Sequence, residues 1–248
     1  MTLRLCGLLI AVLSSSRAAP PPAAARATGV HYDFVMRVQM PERTAPGDPD
    51  MHPSTFPSTI QGEIWRAGSS MRLDVKMGAD QNRFQILTPT ALYTLMPSTK
   101  RGVRTELIGD AVRTLLAQGS PFVLATPVVV KRVWPNAKLA GKDRINGVEC
   151  DVWVTYRAGR SPNTVRIWMP LSKKPVSPLK MEILTQVGAP GSPSAIGTPQ
   201  HTTRTLELLK VTPNQAVPNS IFAVPPDYKI VQRRGSPLQE LEGSRRKQ

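Results

Sequence analysis

The sequence predicts a mostly β, α+β fold built on an antiparallel sheet with one apolar face, and three observations carry that prediction. Apolar and polar residues alternate in segment after segment; turn residues punctuate the segments; and one stretch alone breaks into helical spacing. Strands with one wet face belong to antiparallel sheets, because parallel sheets are covered on both sides and read as continuous apolar runs. The chain has 248 residues, 40% of them apolar and only 5% aromatic, with 25 Pro and 17 Gly, a composition that still permits a buried core. One domain of this size is ordinary for a mostly β chain.

The first predicted strand covers residues 32–40, where Tyr32, Phe34, Met36, Val38 and Met40 share the apolar phase. Segment 60–66 follows, and after the turn Ala67-Gly68-Ser69-Ser70 the residues Met71, Leu73, Val75 and Met77 alternate with Arg72, Asp74 and Lys76. Segments 83–87 and 91–96 are further strands. Over residues 106–118 the apolar positions Leu107, Ile108, Ala111, Val112, Leu115 and Leu116 predict an amphipathic helix ending at Gly119, a cover for the apolar face. Alternation resumes after Asn146-Gly147 with Val148, Cys150, Val152, Val154 and Tyr156, then with Val165, Ile167 and Met169, and with Leu179, Met181 and Ile183; segment 204–211 is the last strand of this series. Residues 41–59, 170–178 and 188–203 read as long loops.

The termini read differently. Met1 to Arg4 forms a basic start, an apolar stretch runs to Leu13, and small residues reach Ala18, so residues 1–18 read as a secretory signal, with residue 27 as the alternative end. Residues 19–29 read as a Pro/Ala-rich linker, 30–231 as a single domain and 232–248 as a charged unfolded tail. The expected location is periplasmic or otherwise extracytoplasmic, with no apolar run long enough for a spanning helix. Cys6 falls within the signal, which leaves Cys150 alone; an exported domain with one thiol must be held by its core and not by disulfides.

No chemistry stands out. His31, His52 and His201 form no metal-ligand pair, and there is no GxSxG, GxxxxGK or GxGxxG segment. The expectation is a protein that is not an enzyme, with no catalytic residue, no metal and no cofactor. The informative constellation is apolar: Met36, Met40, Met71, Met77, Met169 and Met181 all fall on the apolar phase, where Val or Ile would be usual. Methionine can repack around ligands of variable shape, or it can fill gaps in a closed core.

Three stretches resemble a known family. Gln61-Gly62-Glu63-Ile64-Trp65 with Met71-Arg72-Leu73-Asp74, Leu92-Tyr93-Thr94-Leu95-Met96-Pro97, and Thr203 to Leu208 with Pro218 to Ile230 are similar to the early and closing strands of the LolA/LolB-like outer-membrane lipoprotein carrier superfamily. The resemblance implies a strongly curved antiparallel sheet left unclosed as a half-barrel, with one or two helices covering its concave apolar face. It also implies a cavity for acyl chains, which would be held against Met36, Met71, Met77, Leu115, Leu116, Val152, Val154, Ile167 and Met181. The partner would be a lipid or an acylated protein. Neither the family's helix before the first strand nor its cavity arginine is identified here. The second reading keeps the fold with the cavity filled, as an envelope interaction or sensor module.

Charge bears on partners as well. Removing Arg4 and Arg17 with the signal lowers the net charge from +15 to +13. That balance could draw the protein to an anionic membrane surface, or scattered cations could simply keep a one-sided sheet in solution. Nucleic acid is rejected, because export removes the chain from it and no basic strand interleaved with aromatics is present.

Overall fold

Alternation becomes pairing in the computed structural model, which describes residues 26–40, 58–76, 82–157, 163–187 and 200–233. Twelve strands form one sheet: β1 (Arg26–Gln39), β2 (Thr59–Ala67), β3 (Ser70–Lys76), β4 (Arg83–Leu87), β5 (Ala91–Met96), β6 (Arg101–Glu106), β7 (Lys138–Ile145), β8 (Val148–Arg157), β9 (Asn163–Pro170), β10 (Lys180–Val187), β11 (Gln200–Pro218) and β12 (Lys229–Arg233). Their order is β12-β6-β5-β4-β3-β2-β1-β11-β10-β9-β8-β7, with β12 and β7 as free edges. The sheet is curved and does not close, a half-barrel.

Its centre is the long β1–β11 pair, whose register slips between Gly29 and His31 and again between Asp33 and Phe34. Such bulges bend and twist a ladder, which turns a flat sheet into a trough. Gly62 leaves room for close packing, since a Cβ there would lie 2.5 Å from the Phe34 ring and 2.8 Å from the Asp74 carbonyl oxygen. The ring of Phe34 therefore lies across the β2 backbone.

The concave face holds the main core. Tyr32 and Phe34 of β1, Ile64 of β2, Met71 and Leu73 of β3, Ile167 of β9, Met181 of β10 and Leu206 of β11 all belong to it. Covering it are α1 (Ala111–Ala117), a 3-10 turn (Pro121–Ala125) and α2 (Val130–Val133). After β11 the chain crosses the convex face, where Phe222, Val224, Tyr228 and Ile230 pack on Phe84, Ile86 and Leu95. That crossing delivers β12 to the far edge, where it pairs with β6 in parallel. Among the described residues no helix is long and apolar enough to cross a membrane.

Several expectations change. The sheet is mixed, because β12 runs parallel to β6. The helix is shorter than residues 106–118: Glu106 pairs with Ala91 as the end of β6, and Gly109 adopts φ of 58°, so helical turns start only at Ala111. Four residues of the segment read as a linker, Arg26 to Gly29, are strand, and Gln232 and Arg233 of the expected tail belong to β12. Met40 lies beyond β1 and is 55% exposed. Met77, the signal, and residues 41–57 and 188–199 lie outside the described residues.

Candidate functional site

The site is the space between the concave face and its helical cover. Why the cover sits where it does is written in its ends. Gly119, with φ of 75°, closes α1: its amide donates to the Leu116 carbonyl at 3.0 Å, and the Ser120 amide donates to the Leu115 carbonyl at 3.3 Å. This pair of bonds makes a Schellman ending, which needs a left-handed residue. It turns the chain down so that Phe122, Val123, Leu124 and Ala125 are all fully buried. A side chain at residue 119 would meet Ile183. Gly119→Ala is therefore expected to lower stability by about 2 kcal/mol, measured by denaturant unfolding.

Two arginines hold the cover to the sheet. Arg66 of β2 donates from Nη1 to the Ala125 carbonyl at 3.0 Å. Arg204 of β11 donates from Nη2 to the Gln118 carbonyl at 2.8 Å, at the C-terminal end of α1. Burial pushes the Arg204 guanidinium below its ordinary value, and no carboxylate pairs with it among the described residues. Its compensation is the negative end of α1, where carbonyls point outward. The sequence reading assigns no arginine to this face. The signal was present, since Arg204 shares its phase with the buried Leu206 and Leu208, and Arg66 shares its phase with Ile64.

Beneath the cover, the predicted site residues divide. Met71, Leu116, Ile167 and Met181 converge in one core, each no more than 6% exposed, and Met36 and Leu115 pack against it half-buried. Val152 and Val154 do not join them. They lie opposite Trp168 and Arg166 on the convex face, while Trp153 stands opposite Ile167 and packs on the concave core. The expected phase of β8 is thus inverted: Val148 is 44% and Tyr156 64% exposed. Cys150, on the same convex phase, is buried, and desolvation raises its thiol above the ordinary value.

Open space remains at one end of the core. A pocket of about 240 Å³ lies between α1 and α2 on one side and β8 and β9 on the other, with Ala117, Val133 and Val165 among its apolar lining. Its wall also includes Arg113, Trp134 and Asn163. Trp134 is 5% exposed, and its indole Nε1 has no hydrogen-bond partner among the described residues. The same holds for Asn163 Oδ1 and for the Gln118 side-chain Nε2. No set of three or more His, Cys, Asp or Glu side chains is arranged for a metal among the described residues.

No protein-family model and no curated protein matches the chain. Among solved structures it is similar to an uncharacterised conserved protein from Thermus thermophilus, at 12% identity and a TM-score of 0.47, covering 84% of this chain and 91% of that one. It is also similar to a LolA superfamily protein from Nitrosomonas europaea, at 13% identity and a TM-score of 0.34 over 79% of this chain and 90% of that one. A third is the Mycobacterium tuberculosis lipoprotein LppX, at 10% identity and a TM-score of 0.34 over 77% of this chain and 88% of that one.

Proposed function

We propose that this chain is a non-enzymatic, extracytoplasmic carrier that holds the acyl chain of a lipid or acylated protein between its cover and the concave face. The observation that carries the reading is the pocket under α1 and α2. Its apolar lining is continuous with the core through Val165, and its wall also carries the polar residues Arg113, Asn136 and Thr155. A chain with one polar end fits such a place: methylenes leave water at about 0.8 kcal/mol each, and the polar end meets the polar side chains of the wall.

At about 240 Å³ the pocket is smaller than the few hundred Å³ that drug-sized ligands occupy. A long chain therefore requires the cover to lift, and the core residues Met71, Met181 and Leu116 to repack around it. Methionine suits that role because its thioether stem has three rotatable bonds. Export is part of the same proposal. Cleavage after Ala18 keeps β1 whole, whereas cleavage after Ala27 removes Arg26 and Ala27, which pair with Pro218 and Val217.

The test is displacement of a fluorescent fatty acid. Wild-type protein should bind it, and Ala117→Leu, which adds bulk to the pocket on a helix that tolerates Leu well, should weaken binding at least about tenfold with unfolding stability unchanged within roughly 1 kcal/mol. If wild type gives no emission shift, and native mass spectrometry finds no co-purified lipid, the reading fails. The filled-cavity reading then stands in its place, since the centre of the core is closely packed.

A further inference from the structure

We propose that the outer side of the cover, together with the adjoining loop 171–178, is a docking surface for an anionic phospholipid bilayer. The inference stands apart from the carrier reading, because it rests on the distribution of charge and not on the pocket.

Residues 111–142 carry Arg113, Lys131, Arg132, Lys138 and Lys142, of which Arg113 pairs with Asp110 at 3.5 Å and Lys138 stands opposite Val154 on the convex side; residues 171–178 add Lys173 and Lys174 and no acid. The two segments are neighbours in space. Val128 and Val176 form an isolated antiparallel bridge, with the Val128 amide donating to the Val176 carbonyl at 3.1 Å. That bridge sets the exposed Arg132 of α2 near the exposed Lys173 and Lys174. Apolar tips stand among them: Val129 is 53% exposed and Leu171 46%.

On the convex face four cations are matched, Arg37 with Glu207 at 3.0 Å, Arg72 with Asp74 at 2.8 Å, Lys76 with Glu63 at 3.5 Å and Arg166 with Glu182 at 3.3 Å, while Lys210, opposite Asp33, has no ion pair among the described residues. Arg132, Lys173 and Lys174 have no ion-pair partner among the described residues. Glu149, whose carbonyl accepts from the Leu171 amide, has its carboxylate on Arg144 at 3.3 Å. Scattered cations that serve solubility alone need no such segregation. Unmatched cations around exposed apolar tips fit a surface that is negative at the headgroups and apolar just beneath, and they fit a zwitterionic surface less well.

The experiment is co-sedimentation with vesicles of phosphatidylcholine alone or with about 30% phosphatidylglycerol, which sets a surface charge near the physiological one. Wild type should bind only the anionic vesicles, less so as salt rises. Each cation near such a surface contributes roughly fivefold in affinity, so the triple variant Arg132→Glu/Lys173→Glu/Lys174→Glu should bind at least about a hundredfold more weakly. The charge-matched control Arg101→Glu/Lys210→Glu/Lys229→Glu, at exposed positions away from the cover, should stay within about threefold of wild type. Equal losses in both triples would mean that net charge alone acts, and would overturn the docking surface. So would wild-type binding to phosphatidylcholine vesicles as tight as to anionic ones, or no vesicle binding at all. Fluorescent fatty-acid binding is measured on the same proteins: a cover triple that keeps the fatty acid and loses the vesicle supports docking, and wild type that binds fatty acid but no vesicle overturns docking while leaving the carrier reading intact.

Discussion

Phe122→Ala should lower the unfolding free energy by about 3 to 5 kcal/mol, the range for a phenylalanine deleted from a closed core. Phe122 is fully buried in the 3-10 turn at the centre of the cover, and it belongs to the same core as Met71, Leu116 and Met181. Its removal takes away both its own transfer free energy and its contacts with residues from the sheet and the cover. Denaturant unfolding reads the loss as a shift in midpoint at constant slope. A loss below roughly 1.5 kcal/mol would mean that the cover collapses into the space or packs loosely from the start. The same variant separates structure from function: if a ligand chain takes the place of the ring, fatty-acid affinity should hold or rise even as the fold weakens.

Arg204→Glu should also be damaging, by about 2 to 4 kcal/mol near neutral pH, because it puts a carboxylate where a half-buried cation now meets the negative end of α1. Arg204→Leu should cost less, about 1.5 to 3 kcal/mol, since it removes one charge-assisted bond to the Gln118 carbonyl but also relieves the burial of an unmatched charge. The Glu variant carries a pH signature with a definite sign. A carboxyl in this place has its folded value raised above the unfolded one by burial and by the neighbouring carbonyl. Its protonated form is the tolerated one, so the variant should recover relative to Arg204→Leu as pH falls and lose ground as pH rises through the folded value. A Glu variant as stable as the Leu variant at pH 7 would show that Arg204 does not hold α1.

How much of this was legible in the sequence depends on how each strand is wetted. Strands β2 to β5 follow their predicted bounds within a residue or two, because their apolar side chains are buried, on the concave side under the cover and in β4 and β5 also on the convex side under Phe222, Tyr228 and Ile230. β7 was invisible for the opposite reason: as an edge strand it is exposed almost throughout, so Lys138–Ile145 shows no phase to read. β8 shows how a clean pattern can mislead. Val148, Cys150, Val152, Val154 and Tyr156 form an unbroken β-favouring series, yet the register with β9 sets Trp153 opposite Ile167 and turns that series outward. Register belongs to the pairing of strands, and a slip of one residue reverses every side chain. The arginines of the site show a bias of a different kind. Arg66 and Arg204 sit in phase with buried residues, where a charge looks like an interruption of the pattern until a helix end is known to lie above it. Part of the predicted lining, Met71, Leu116, Ile167 and Met181, converges, because methionine and leucine in phase on facing elements have nowhere else to go. Trp134 was beyond reach, since its segment shows no periodicity, while Asn163 opens β9 in phase with Val165 and Ile167.

The central claim is that an acyl chain enters beneath the cover beside Trp134. It is tested most directly by tryptophan quenching with a bromine-labelled fatty acid, whose heavy atom quenches only on contact. In a Trp153→Phe background, which removes the other tryptophan packed on the concave core, saturable quenching is expected, retained when Trp65→Phe on the convex face is added and lost when Trp134→Phe is added. Quenching that is unchanged when Trp134→Phe is added, or absent from that background at concentrations that displace the fluorescent probe, would contradict it.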